Sequence, residues 1–132
     1  MIYPMFLLIV FTFCYGGFMA YGRVSAAKKG EVNGHYFKTM SGSELPERLQ
    51  LTTRHFANLL ETPPLFYIAG AMIIATGLET ALTISVAWAY LIFRGIHSYI
   101  HNTYNHPLHR MAAYVGSLLC ILALWFYLMI EL

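Results

Sequence analysis

Nine polar residues recur at helical spacing within stretches of this sequence that are otherwise apolar. They form three groups, each spaced to share one helix face: Arg54, Asn58 and Glu61; Arg94, His97, His101 and Tyr104; and Arg110 and Tyr114. An ionisable group at membrane depth costs at least about 2.5 kcal/mol, so such residues usually face a bundle interior and find partners. The groups converge at one depth if their helices run antiparallel. One interpretation of these residues is a site that binds an anionic, polar ligand between helices.

Two other interpretations of these residues stay open. In the first, Glu61 neutralises Arg54 or Arg94 and Asn58 bonds a neighbouring helix, which is common in membrane bundles. In the second, the histidines bind a metal through a His-x-x-x-His pair, with Glu61 as a carboxylate from another helix. The four histidines concerned are His97, His101, His106 and His109. We expect no metal, because no cysteine or acidic residue lies near them in sequence.

The composition places the chain in a membrane. Of its 132 residues 58% are apolar and 11% charged, and the mean hydropathy is +0.58. A soluble domain carries about 25% charged residues. The net charge of +2 comes without the basic stripe of a nucleic-acid surface, so we expect lipids and no nucleic acid as partners.

Four apolar stretches predict four transmembrane helices in one domain, residues 1–132. The predicted bounds are about 2–23, 46–77, 79–104 and 107–130. The first lacks the leading positive charges of a signal peptide, so we expect a retained helix. Turns are predicted at Gly30, Asn33-Gly34 and Ser41-Gly42-Ser43, with Pro46 in the first turn of the second helix and Ser43 or Glu44 as its cap. Cys14 and Cys120 are predicted to be two buried free thiols.

The positive charges predict the orientation. Six of the eight Lys and Arg residues lie between the first and second apolar cores, and the other two flank the third connection. By the positive-inside rule these connections are cytoplasmic. Both termini are then expected on the non-cytoplasmic side.

The stretch from Arg54 to Phe66 resembles the second-helix signature of the MAPEG family, the membrane-associated proteins of eicosanoid and glutathione metabolism. The matching core is Asn58-x-x-Glu61-x-x-Pro64-Leu-Phe66. The third and fourth helices add two weaker matches: Arg94, His97 and His101; and Arg110 with Tyr114. Length, four spans and topology agree over nearly the whole chain.

This resemblance implies an all-α, four-helix membrane bundle that assembles as a homotrimer, with glutathione bound between subunits near the cytoplasmic side. It implies that Asn58 and Glu61 hold the peptide part of glutathione, with Arg54, Arg94, His97 and His101 as further binding residues. Arg110 and Tyr114 are the implied catalytic residues, with Arg110 favouring the thiolate, the nucleophilic form of the sulfur.

The sequence also departs from the family pattern. Ala57 stands where many glutathione-using members have a second arginine, and His101 where tyrosine is common. The connection containing Gly30 and Gly34 looks like a bacterial branch, which implies a bacterial inner membrane. Two functions are therefore expected as alternatives. One is a glutathione-dependent transferase or peroxidase acting on lipophilic substrates, and the other a non-catalytic ligand-binding or structural protein on the same scaffold.

Overall fold

The chain folds into α-helices joined by short connections. The computed structural model describes residues 1–33, 35–39 and 45–132. Its helices, numbered in chain order, are α1 (Ile2–Lys28), α2 (Tyr36–Thr39), α3 (Glu47–Glu61), α4 (Pro63–Ala75), α5 (Ala81–Asn102) and α6 (Pro107–Glu131). No strand occurs in these three ranges. The predicted all-α fold class is confirmed.

Three helical segments are long and apolar enough to cross a membrane: Ile2–Lys28, Glu47–Ala75 and Pro107–Glu131. The remaining long helix, α5, has 22 residues and thus a length of about 33 Å, comparable to a hydrocarbon core of roughly 30 Å. Arg94, His97 and His101 lower its apolar character. The molecule is a multi-pass helical membrane bundle.

Helix α1 continues past the predicted end at residue 23, and it ends at Lys28. Gly30 has a φ of +72°, a left-handed conformation that suits glycine. The Gly30 N–H donates to Ala27 O and the Glu31 N–H to Ala26 O, which is the Schellman pattern of helix termination. The predicted turn at Gly30 is therefore the C-terminal stop of α1.

The rest of this connection is described only in part. The Asn33 Oδ1 accepts from the His35 N–H at 2.9 Å, which forms a local turn. Gly34, the Ser41-Gly42-Ser43 turn and the predicted caps Ser43 and Glu44 lie outside the described residues. Pro46 occupies the N-cap of α3, one position before the first turn predicted for it.

The predicted second helix is two helices, α3 and α4, that meet at Thr62. Pro63 and Pro64 occupy the first positions of α4. Proline has no N–H to donate and disfavours a helical residue before it, so the ladder of hydrogen bonds is interrupted here. The interruption leaves the C-terminal carbonyls of α3 free for other partners.

The main core lies between α4, α5 and α6. Phe66 of α4 and Tyr90 of α5 are fully buried and stack with ring centroids 4.3 Å apart. Helix α5 packs most extensively against α6, and Gly116 of α6 lies against the ring of Phe93. A second, small cluster joins α1 to the start of α3 through Ala26, Val32, Leu45 and Leu49.

The bundle has two ends of different character. At one end the N-terminal amine forms an ion pair with Glu79, next to the α4–α5 connection. At the other end, α1 and α5 end and α3 and α6 begin. The prediction of two buried thiols is wrong, because Cys14 is exposed on the surface of the chain and Cys120 is half-buried; both are free. Cys14 lies on an outward face of α1, where apolar residues can contact lipid.

Candidate functional site

A pocket of about 400 Å³ opens at the end of the bundle where α5 ends and α6 begins. Six of the eight predicted site residues line it: Arg54, Asn58, His97, His101, Arg110 and Tyr114. Pro107 and Met111 of α6 complete the wall. Its volume falls within the range of roughly 300–1,000 Å³ typical of ligand pockets. Among the described residues, the lining holds two arginines and no carboxylate, so the pocket suits an anion.

Helix α3 contributes Arg54 and Asn58 from successive turns. The Asn58 Nδ2 donates to the Arg54 carbonyl at 3.0 Å. This bond uses one amide N–H locally and orients the amide group. Arg54 itself is exposed, which leaves a mobile cation at the rim.

Helix α6 contributes Arg110 and Tyr114, one turn apart. The Arg110 Nη1 donates to Asn105 Oδ1 at 2.7 Å. Asn105 lies in the α5–α6 connection with a φ of +46°, a left-handed conformation that asparagine tolerates better than most residues. The connection thereby fixes the guanidinium at the pocket, and Asn105 is a contributor that the sequence analysis did not identify.

His97 of α5 is held by α6. Its Nδ1 lies 3.0 Å from the Arg110 carbonyl oxygen. A carbonyl only accepts, so in the neutral ring Nδ1 carries the proton and Nε2 is an acceptor. The Nε2 atom is buried and has no partner among the described residues. His101, also buried, has an unpartnered Nδ1.

Arg94 is fully buried and does not line the pocket. Its Nη2 donates to the Asn58 main-chain carbonyl at 2.7 Å, and its guanidinium lies 6.0 Å from the centre of the Tyr114 ring. Asn58 is in the last turn of α3, where the helix dipole favours a cation. Arg94 thus caps the end of α3, while its Nε and Nη1 have no partner in the described part of the chain.

Glu61 lies outside the pocket, on an exposed position at the end of α3. Within the described ranges the ion pairs are those of Met1 with Glu79 and of Arg48 with Glu31. The alternative in which Glu61 neutralises Arg54 or Arg94 is therefore wrong for the single chain.

Tyr104 also lies away from the predicted polar face. Helix α5 ends at Asn102, so Tyr104 belongs to the following connection. There its hydroxyl lies 3.1 Å from His109 Nδ1. The predicted polar face from Arg94 to Tyr104 was therefore too long, because Tyr104 lies two residues after the last residue of α5.

The four predicted metal-ligand candidates fall into two groups. His106 and His109 have ring centroids 4.5 Å apart, and those of His97 and His101 lie 5.9 Å apart. Among the residues that the structure describes, no three His, Cys, Asp or Glu side chains are arranged to hold a metal ion.

His55 is the largest omission from the sequence analysis. It is fully buried, and its ring centroid lies 5.5 Å from that of His97 and 4.9 Å from that of His101. Its Nε2 is hydrogen-bonded to Ser98 Oγ at 2.7 Å. The sequence could have identified His55 as an inward-facing residue, because Thr52, His55 and Leu59 are spaced to form one buried stripe of α3.

The comparison with protein families agrees with this architecture. A sequence model described as the MAPEG family matches residues 1–130. Neither the curated proteins nor the solved structures contain a match. The family match thus covers nearly the whole length of the chain, well beyond the second helix. The chain belongs to the MAPEG family, the membrane proteins of glutathione and eicosanoid metabolism.

Proposed function

We propose that this protein binds glutathione, or a thiol with the same charged groups, in the pocket between α3, α5 and α6. The observation that carries the proposal is the convergence of six predicted residues, from three helices, on one pocket of about 400 Å³. The residues also fit the chemistry of the ligand. Arg54 and Arg110 can pair with its carboxylates, and the acceptor atoms of Asn58 and Tyr114 can receive its N–H groups.

Arg110 is the proposed activating residue. A guanidinium beside the sulfur favours the thiolate over the thiol, because it stabilises the negative charge that forms when the proton leaves to water. The hydrogen bond from Arg110 to Asn105 holds this group in place before the ligand arrives. Preorganised charge of this kind costs little rearrangement during reaction.

The proposed reaction is thiol transfer to a lipophilic electrophile. The thiolate attacks the electrophilic carbon, a carbon–sulfur bond forms, and the leaving group departs with the electron pair of its bond. With a lipid hydroperoxide, two thiols are oxidised to a disulfide while the hydroperoxide is reduced to an alcohol and water. The exposed apolar residues of α1 and α6 would contact the bilayer that delivers either substrate.

The proposal also assigns the pocket to one side of the membrane and to an assembly. The end of the bundle that carries it also carries most of the basic residues, at the end of α1, on α3 and in the connection between them. We therefore propose that the pocket lies on the cytoplasmic side, with both termini outside. We further propose a homotrimer in a bacterial inner membrane, with the partner subunit covering the open side of the pocket. In that arrangement Glu61, which lies on the surface of the single chain, could reach a ligand held between subunits.

The test is a calorimetric titration of the detergent-purified protein with glutathione, paired with an ultraviolet scan for thiolate absorbance. S-methylglutathione is the matched control ligand, because it keeps the peptide charges but has no ionisable thiol. The proposal predicts binding of both and a thiolate signal only with glutathione. Absence of glutathione binding at millimolar concentration would remove the proposal.

The second candidate function is ligand binding without catalysis. Ala57, an exposed position on α3, supplies no cation where many glutathione-using relatives have arginine. This function predicts that glutathione binds without a thiolate signal, and that neither conjugation of an aromatic electrophile nor reduction of a lipid hydroperoxide occurs.

A further inference from the structure

A cluster of aromatic and polar side chains, buried except for Asn102 at its edge, lies behind the pocket, and the proposed function leaves it unexplained. It joins α1, α3 and α5 through Tyr15, His55, Ser98 and Asn102. Two pocket residues, His97 and His101, touch it from α5.

His55 is at the centre of this cluster. Its ring is nearly parallel to that of His97, at 27°, and is tilted by 40° to that of His101. The edge of Tyr15 closes the opposite side, with centroids 4.6 Å apart and planes at 77°. His55 does not line the pocket, so it can influence a ligand only through the two histidines that do.

Hydrogen bonds fix the position of His55 from α5. Ser98 Oγ lies 2.7 Å from His55 Nε2. The Ser98 carbonyl accepts from Asn102 Nδ2 at 2.7 Å, and Asn102 Oδ1 accepts from the Tyr15 hydroxyl at 2.6 Å. These bonds link His55 to α1 by way of Ser98 and Asn102. They hold Nε2 of the His55 ring, whereas Nδ1 is buried with no partner among the described residues.

We propose that His55 is a positioning residue, held by Ser98, that sets the orientation of the His97 and His101 rings at the pocket. It does so by ring contact, because each ring lies within about 5.5 Å of His55 and aromatic pairs at this range prefer particular geometries. His97 is then fixed from two sides, by His55 and by the Arg110 carbonyl. The claim that His55 affects a ligand rests on the proposed function, whereas the claim that His55 orients the two rings does not.

The main test uses Ser98→Ala, which removes the hydrogen bond to His55 and keeps every ring. NMR of isotope-labelled histidine side chains, without ligand, should show the His97 and His101 signals shifted or broadened. His55→Phe keeps a ring but loses Nε2, and it should perturb the same signals. Unchanged His97 and His101 signals in both folded variants would overturn the proposal.

Thr83→Val is the control that separates positioning from stability. Thr83 is also a buried hydroxyl of α5, but it forms the capping box at the opposite end of the helix. It should lower the melting temperature and leave the His97 and His101 signals in place. If the His97 and His101 signals change equally in Thr83→Val and Ser98→Ala, the cluster only stabilises the fold.

Glutathione binding supplies the second readout. The full free energy of one neutral hydrogen bond corresponds to about fivefold in Kd. Because the Ser98–His55 bond does not contact the ligand, Ser98→Ala should weaken binding by at most that factor, while Thr83→Val leaves it unchanged. If the wild type binds no glutathione, the proposed function fails and the ligand-free NMR still decides the role of His55. A wild-type Kd in Ser98→Ala, with the ring signals shifted, would contradict the claim that ring orientation matters to the ligand.

Discussion

Two arginines predicted to belong to the site, Arg94 and Arg110, occupy different environments in this bundle. Arg94 is fully buried and donates to the Asn58 main-chain carbonyl in the last turn of α3, whereas Arg110 lies at the pocket and donates to the side chain of Asn105. Sequence spacing placed both arginines on polar helix faces. Spacing within one helix does not show which backbone carbonyls of a neighbouring helix can accept a hydrogen bond. Arg94 is placed by the position of the Asn58 carbonyl in the last turn of α3, which also accepts from the Thr62 hydroxyl at 3.5 Å.

Replacement of Arg110 by Ala should weaken glutathione binding by roughly ten- to a hundredfold, since a charge-assisted hydrogen bond contributes about 1.5 to 3 kcal/mol. Thiol-dependent turnover should fall more than the melting temperature does. Arg48→Ala is the matched control, because Arg48 is an exposed arginine paired with Glu31 outside the pocket. Calorimetry and a conjugation assay measure the effects, and equal losses in the two variants would exclude a specific role for Arg110.

Glu61→Gln should change the free energy of unfolding by no more than about 0.5 kcal/mol, the usual size for an exposed position without special contacts. The alternative interpretation, in which Glu61 neutralises Arg54 or Arg94, predicts instead the cost of breaking a buried pair, about 3–5 kcal/mol. Thermal unfolding in detergent distinguishes the two values. A loss of several kcal/mol would show that Glu61 has an ionic partner in the assembled protein.

At the scale of elements, apolar length predicted where helices lie better than where they end. Helix α1 runs to Lys28 because the left-handed stop is at Gly30, although charged residues begin at Arg23. The second apolar stretch contains two helices because proline breaks the ladder at Thr62. Charge and hydropathy report the solvent around a helix, whereas its termini depend on backbone geometry at single residues.

The α5–α6 contact depends on a small residue. A Cβ added at Gly116 would lie 2.7 Å from Cε1 of the Phe93 ring, whereas a Cβ at Gly95 would meet nothing within 4 Å. Gly116→Ala should therefore destabilise the protein by about 1–3 kcal/mol through overpacking, and Gly95→Ala should not. Melting temperatures of the two variants check this, and equal values would show that the Phe93 ring moves aside freely.

At the scale of the molecule, much of the pocket was predictable and the interior behind it was not. Six of the eight predicted residues converge on the pocket, because helical spacing fixes which residues share a face. Glu61 and Arg94 fall outside it, and His55 was missed, because contacts between helices depend on how the helices are rotated against one another. No spacing within one helix carries that information.

The orientation is tested by reporter fusions. A reporter after Leu132 should read as non-cytoplasmic and one inserted at Gly42, which lies outside the described residues, as cytoplasmic, because basic residues bracket the first and third connections. An enzyme pair active on opposite sides of the membrane gives the measurement. The reverse pattern would move the pocket to the non-cytoplasmic face.

The assembly is tested by mass. In mild detergent the protein should have the mass of three copies of its 15.0 kDa chain. Close packing of α1 is favoured by Gly17 and Ala20, small residues on an apolar groove. A monomer at micromolar concentration would contradict a site shared between subunits.

The composition of α5 has a consequence for how the protein is made. This helix carries Arg94, and within the described residues the segments apolar enough to span on their own are the other three. Its partners are the end of α3, synthesised before it, and α6, synthesised after it. We therefore expect α5 to enter lipid as one arm of a hairpin with α6, against helices already in place. A substitution that weakens the α5–α6 contact would then act first during biosynthesis, as a loss of correctly inserted protein, before any pocket exists to bind a ligand.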